Sequence, residues 1–277
     1  MKKSRLDVLM FNKGLLESRH RAGAAIMSGA VYVNGIKALK PGMQVKENDD
    51  IQLLEMPKYV SRGGYKLEKA LDYFSLSVEG RVCIDCGAST GGFTDCLLQR
   101  GAKLVYAVDV GYGQLAWSIR NNPNVIVMEK TNIRYVSQNA FPLRPDFAVA
   151  DLSFISLKLV LPVLRKTLSA DSYVVCLVKP QFEAGKDKVG KNGIVRDINV
   201  HKSVLDEIII EAEQVGFTVK GMTYSPIKGA RGNIEYLCVL ESDGGSDLGE
   251  KSVNIEAVVI NAQEYFAHES RSNHALS

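Results

Sequence analysis

Ile84-Asp85-Cys86-Gly87-Ala88-Ser89-Thr90-Gly91-Gly92-Phe93-Thr94 joins a strand-like segment, RVCIDCGA, to a helix-like one, FTDCLLQR, through a glycine-rich turn. Glycines let backbone amides approach a ligand closely. The turn is not GxGxxG, because an acid stands two residues before the first glycine and no second glycine follows two positions on. A dinucleotide pyrophosphate seeks bare amides at a helix N-terminus, and Asp85 would set negative charge beside it. S-adenosylmethionine suits the turn better, since it brings a cationic sulfonium and an ammonium. The candidate cofactor contacts here are Asp85, Gly87, Ala88, Ser89, Thr90, Gly91, Gly92 and Phe93.

Downstream, KLVYAVDV predicts a second strand ending at Asp109 and Val110, where a carboxylate can accept both ribose hydroxyls. The stretch Glu129 to Asn132, after a third strand, is within reach of an adenine. Strand-like and helix-like segments alternate to about residue 241, which predicts a doubly wound, Rossmann-like α/β fold. Its last two strands, TVKGMTYSPI and EYLCVLES, are separated by KGARGN and predict an antiparallel edge hairpin, the usual ending of a seven-stranded methyltransferase sheet.

The predicted fourth strand ends in Asp151-Leu152-Ser153-Phe154. Methylation of an exocyclic base amine calls for Asn or Asp followed by two prolines and an aromatic, and pyrimidine C5 methylation needs a cysteine near this loop. Neither is present, so both classes recede. A ribose hydroxyl must lose its proton as it attacks, and a lysine can take it when like charge or burial favours the neutral amine. Lys179, ending the fifth strand in LVKP, and Asp151 both fall at the carboxyl edge of the sheet, beside the cofactor. Lys66 and Glu235 are further candidates, but position in the chain alone does not bring them there. Lys66 also reads as a surface helix lysine paired with Glu68, and Glu235 as a surface acid.

The 277 residues are 46% apolar and 23% charged, the range of globular proteins and unlike disordered or fibrous chains. No apolar run reaches the roughly 18 residues that a membrane helix needs. Asp7 interrupts what would be the apolar core of a signal peptide. The five cysteines, 83, 86, 96, 176 and 238, read as reduced core thiols and predict a cytoplasmic protein. Cys83 and Cys86 have zinc half-site spacing, but no second pair follows, so no metal site is expected. Residues 1–60 carry 10 basic and 6 acidic side chains, whereas residues 241–277 carry 2 and 7. A basic front suggests a polyanionic partner; a merely solvated lysine-rich surface is the alternative.

Residues 1–56 form a small α+β unit. It has a helix through Leu6, Leu9 and Met10, then a second from Ser18 to Gly29. A Val31-Tyr32-Val33 strand turning at Asn34-Gly35 follows, and a last strand spans Ile51 to Leu54. RLDVLMFNKGLLESRHRAGAAIMSGAVYVNGIKALKPGMQV resembles the RNA-binding module named after ribosomal protein S4. The resemblance implies that Lys3, Arg5, Lys13, Arg19, Arg21 and Lys37 face folded RNA. Residues 57–65 read as an interdomain linker carrying Arg62, a further RNA candidate. Residues 66–241 form the main domain. A polar tail, 242–277, holds one amphipathic segment from Val253 to Phe266.

Residues 62–240 resemble the FtsJ-type ribose 2′-O-methyltransferases, whose Lys-Asp-Lys-Glu tetrad matches Lys66, Asp151, Lys179 and Glu235 in order. With SRGGYKL, DCGASTGGFTD, ADLSFISL, LVKPQFEAG and GNIEYL, the chain to about residue 241 closely resembles the TlyA family. That family's activity is methylation of cytidine 2′-hydroxyls in ribosomal RNA, so the resemblance implies ribosomal RNA or ribosomal subunits as partners. It also implies Lys179 as base, Asp151 as its holder, and Lys66 and Glu235 as orienting groups. The loop GKDKVGKNGIVR, residues 185–196, offers Lys186, Lys188 and Lys191 to RNA phosphate, or is an ordinary exposed loop. Two rival functions are a non-catalytic ribosome-assembly factor and the membrane-active haemolysin that some family names suggest. The filled tetrad counts against the first, and the lack of a spanning segment against the second.

Overall fold

The computed structural model describes residues 3–54, 58–242 and 253–274. The chain divides into two compact units, residues 1–60 and 61–277. Pro57 of the expected linker and residues 243–252 of the expected tail lie outside the described residues.

In the first unit, β1 (Lys3–Arg5) leads directly into α1 (Leu6–Asn12). The helix α2 (Arg19–Ser28) begins where the Ser18 hydroxyl accepts the Arg21 amide at 3.1 Å, and it stops at Gly29, whose φ of 80° is left-handed. Both ends follow ordinary capping chemistry. The strands β2 (Val31–Val33) and β3 (Ile36–Lys37) turn on Asn34 and Gly35, both at positive φ, the geometry a two-residue hairpin requires. After β4 (Gln44–Lys46) and β5 (Ile51–Leu53), β2 is the centre of a three-stranded antiparallel sheet, and β1 pairs with β4. Leu6, Met10, Ala22, Ile26 and Val31 close the core.

The second unit opens with α3 (Gly63–Tyr73), so Gly63 to Tyr65 are helical, not linker. Then follow β6 (Val82–Cys86), α4 (Gly92–Gln99), β7 (Leu104–Val108), α5 (Trp117–Arg120) and β8 (Val125–Met128). The helix expected over GQLAWSIR is confined to that four-residue α5. The chain continues through β9 (Phe147–Ala150), α6 (Leu161–Thr167), β10 (Tyr173–Val178), α7 (Pro180–Glu183) and α8 (Ile198–Gln214). It ends with β11 (Phe217–Tyr224), β12 (Tyr236–Ser242) and α9 (Ile255–His274).

These strands form one seven-stranded sheet in the order β11-β12-β10-β9-β6-β7-β8. Five strands from β10 to β8 run parallel, while β12 lies antiparallel between β10 and β11. The final pair is therefore the expected antiparallel hairpin at the edge of the sheet, with β11 outermost and β12 between it and β10. The strand β6 has β7 on one side and β9 on the other, which makes its carboxyl end the topological switch point where α/β sheets bind ligands. Apolar residues of α6, α8 and α9 cover one face of the sheet, with Val259, Ala262 and Phe266 of α9 buried in that core. Residues 255–274, read in the sequence as tail, thus complete the second unit.

Candidate active site

Two lobes of a single cleft open along the carboxyl ends of β6, β9 and β10. One, of about 530 Å³, holds Lys66, Lys179 and Glu235; the other, of about 440 Å³, holds Asp109, Val110 and Asn132. The lobes share Gly87, Ser89, Asp151, Ser153 and Phe154.

The turn after β6 is built for close approach. Gly87 has φ 87°, and a Cβ there would stand 2.7 Å from the Asp151 carbonyl oxygen, so only glycine lets the β6 and β9 ends meet at this point. Gly91 caps α4 in left-handed conformation, and a Cβ would meet Leu115 at 3.0 Å; its part is conformational, and it lines neither lobe. Ala88, Thr90, Gly92 and Phe93 line the first lobe. Asp85 lines neither. It is completely buried beneath the turn, where Thr94 Oγ1 donates to its Oδ2 at 2.6 Å. Burial pushes its carboxyl up to about 7, with the Asp151 and Asp109 charges adding to the rise.

Asp109 faces the second lobe but already accepts the Ser89 amide at 2.8 Å and the Gly111 amide at 2.6 Å, so only its remaining lone pairs are available to a ribose. Asn132 lines the lobe while accepting the Arg134 amide at 3.1 Å. Glu129 does not line it. Its carboxylate is turned to the Arg120 guanidinium and to the Gly113 amide at 2.8 Å, which hold it below the usual carboxylate range. The expected adenine wall therefore begins at Thr131, and the tie between Glu129 and Arg120 is structural.

The four candidate catalytic side chains converge in the first lobe as two ion pairs. Lys179 Nζ stands 2.5 Å from Asp151 Oδ1 and donates to Ser153 Oγ at 3.2 Å. Lys66 Nζ donates to Glu235 Oε2 at 2.7 Å, and Gln181 Nε2 donates to Glu235 Oε1 at 3.3 Å. Lys66, Lys179 and Glu235 are 9%, 7% and 2% exposed, so the surface readings of Lys66 and Glu235 do not hold. Glu68, the suggested surface partner of Lys66, pairs with Arg100 at 3.3 Å. Breaking a buried pair of this kind typically costs about 3–5 kcal/mol, because one charge is left uncompensated.

Sequence reasoning missed Ser153, Phe154, Gln181, Phe182 and Lys228, all of which line the first lobe. Phe154 is 90% exposed, sits at φ 64°, and lies with its ring 5.1 Å from that of Phe182. Gln181 and Phe182 follow Lys179 across Pro180 in LVKPQF, the one signal that could have found them. Arg62 also borders this lobe, at the start of α3.

Of the proposed RNA contacts in the first unit, Lys3, Lys13 and Lys37 are exposed. Arg5 and Arg21 bind carboxylates of their own unit, Asp7 at 2.8 Å and Glu17 at 2.7 Å, and Arg19 stands 3.6 Å from Asp7. Lys186, Lys188 and Lys191 are exposed on the loop after α7.

Residues 59–242 match the model of the FtsJ-like methyltransferases, and residues 4–51 match that of the S4 domain. The chain belongs to the FtsJ-like methyltransferase family. A Bacillus subtilis relative, YqxC, provisionally named an rRNA methyltransferase, is 51% identical over 91% of this chain and 92% of its own. The 16S/23S rRNA (cytidine-2′-O)-methyltransferase TlyA of Mycobacterium tuberculosis is 43% identical over 91% of this chain and 95% of its own. A solved structure from Streptococcus thermophilus, under the provisional name of a hemolysin, is 47% identical with a TM-score of 0.76, covering 98% of this chain and 99% of that one. As an FtsJ-like methyltransferase, the protein uses S-adenosylmethionine. The cleft fits that cofactor: a turn that only glycine can form, a lobe ending at the second-strand acid, and the Asp151 carboxylate where the two lobes meet, able to face a cation. No helix among the described residues is long and apolar enough to cross a membrane.

Proposed function

We propose that the protein transfers the methyl group of S-adenosylmethionine to the 2′-hydroxyl of cytidine in ribosomal RNA, with Lys179 as base. The observation that carries this reading is the convergence of Lys66, Asp151, Lys179 and Glu235, from four separate elements, on the lobe that adjoins the glycine turn. The names of the relatives support the RNA and the cytidine.

Gly87, Ala88, Ser89, Thr90, Gly92 and Phe93 would hold the methionine end of the cofactor, and Asp109, Val110 and Asn132 its nucleoside. The bound cofactor supplies an electrophilic methyl on a sulfonium, displaced in line. Lys179 gives its own proton to solvent and then takes that of the 2′-hydroxyl, while Asp151, its partner in the resting ion pair, stabilises the ammonium that re-forms and Ser153 holds Nζ on line. Glu235, fixed by Lys66 and Gln181, orients the ribose. Phe154 and Phe182 offer an aromatic surface for an unstacked base, the usual means of RNA recognition outside duplexes. The basic residues of the first unit and the Lys186–Lys191 loop bind phosphate, which reads RNA shape more than sequence. A soluble cytoplasmic enzyme acting on ribosomal subunits follows from this reading.

The test is transfer of labelled methyl to unmodified ribosomal subunits. Wild type should label them and leave one phosphodiester resistant to alkali, because a methylated 2′-oxygen cannot attack its neighbour. Lys179→Ala should lower the rate by about 10²–10⁴-fold. Labelling without alkali resistance, or full activity in the variant, would overturn the assignment.

A further inference from the structure

Asp85 is a buried acid that the chemistry above leaves without a task. It lies near the end of β6, in register with Ala107 of β7 and Val149 of β9. Its side chain is completely buried, and Oδ1 has no hydrogen-bond partner among the described residues. The hydroxyl and backbone amide of Thr94 are its donors, and no ammonium or guanidinium pairs with it among the described residues. The charges that raise it are both acidic, Asp109 on the β7 side and Asp151 on the β9 side; Thr94 of α4 donates to it, and its own charge in turn raises the buried thiols of Cys83 and Cys86 on β6.

Three carboxyl groups therefore share the switch point. Asp151 has Lys179 as counter-ion, and Asp109 has two backbone amides. Asp85 has the least compensation and the deepest burial, so it is the group whose ionisation responds most to a new charge in the cleft. Gly87, two residues on, lines both lobes, so a ligand on that turn lies close above Asp85. The methyl donor carries a positive sulfur, and the demethylated product carries a neutral thioether; the remainder of the two molecules is the same.

We propose that Asp85 is the residue that distinguishes cofactor from product by charge: it keeps a proton in the cofactor-free protein, releases it to solvent when the sulfonium is bound, and recovers it once the methyl has gone. The inference rests on S-adenosylmethionine being the cofactor and not on the identity of the RNA. Its consequence is that preference for cofactor over S-adenosylhomocysteine grows with pH through neutrality. One linked proton limits that growth to about tenfold per pH unit. The α-amino groups of the two ligands do not cancel, because the sulfonium lowers that of the methyl donor, so the comparison is made at and below pH 7, where both are ammonium.

Titration calorimetry of the full chain with each ligand, repeated in buffers of different ionisation heat, counts the protons released. S-adenosylmethionine should release more than S-adenosylhomocysteine, by an excess of about half a proton at pH 7 that grows toward one as the pH falls to about 6, and its relative affinity should rise with pH over that range. Asp85→Asn should abolish both the excess and the rise. Thr94→Val, which removes the donor to the ionised form, should move the excess to higher pH and tests the idea even where the Asn variant does not fold. Equal proton counts for the two ligands overturn the proposal alone. Failure of S-adenosylmethionine to bind at all overturns it together with the cofactor assignment.

Discussion

Two buried titratable side chains pull the stability of the second unit in opposite directions. Asp85 is raised to about 7 from the ordinary 3.8, so it stabilises the fold while it holds its proton, and that stability is lost as pH rises from about 4 to 7. Three pH units at 1.36 kcal/mol each correspond to roughly 4 kcal/mol. His201 is held below its ordinary 6.5 by burial, neutral, with Nε2 donating to the Val195 carbonyl at 3.0 Å and Nδ1 accepting the Tyr236 hydroxyl at 2.9 Å. Its contribution is present above about pH 6.5 and falls away in acid. The two slopes oppose each other around pH 5–6, so melting of the wild type should vary little with pH there. Asp85→Asn should expose a fall in acid, measured by thermal melting at pH 5 against pH 7. His201→Phe should expose a fall toward neutrality, on a baseline lowered by about 1–3 kcal/mol for the unpaired Tyr236 hydroxyl.

At the scale of elements, α9 is the least expected part of the fold. It seats Val259, Ala262 and Phe266 in the main core and stacks Tyr265 and Phe266 against Tyr224 at the end of β11, with centroids 5.1 and 6.4 Å apart. Lys69 Nζ of α3 lies 3.3 Å from the Tyr224 ring centre, and burial lowers its ammonium to about 8. Lys228, from the loop that borders the first lobe, covers Phe266 at 4.9 Å. Phe266→Ala should therefore cost about 3–5 kcal/mol in denaturant unfolding. A loss below 1 kcal/mol would mean that α9 is not part of the cooperative unit. The sequence placed an amphipathic segment here but not its dock, because an apolar stripe says that a face will be covered and not by what.

For the whole molecule, affinity for RNA should depend on salt through the lysines that have no carboxylate to themselves. Lys186→Ala and Lys188→Ala should each reduce the slope of log affinity against log salt by about 0.9, with cofactor affinity unchanged. Arg21→Ala should reduce it less, since Glu17 already holds that guanidinium. Equal slopes for all three variants, followed by fluorescence polarisation on a ribosomal RNA fragment, would contradict this ordering.

Much of the molecule was decided by local sequence. Ser18, Gly29 and Asn34-Gly35 specified helix ends and a hairpin because capping and left-handed turns are properties of a few adjacent residues. The turn from Asp85 to Thr94, and Asp151 and Lys179 at strand ends, were legible for the same reason: alternation of strand and helix sends consecutive parallel strands to one edge. Lys66 and Glu235 were legible only through resemblance, since they stand 169 positions apart and their pairing exists only once α3 and β12 have packed. Tertiary structure alone decided that Glu129 turns away to Arg120, that Asp85 lies beneath its turn and does not line the cleft, and that α9 closes the core. Each of these depends on which side chains burial brings together, and burial is a property of the folded surface, not of spacing along the chain.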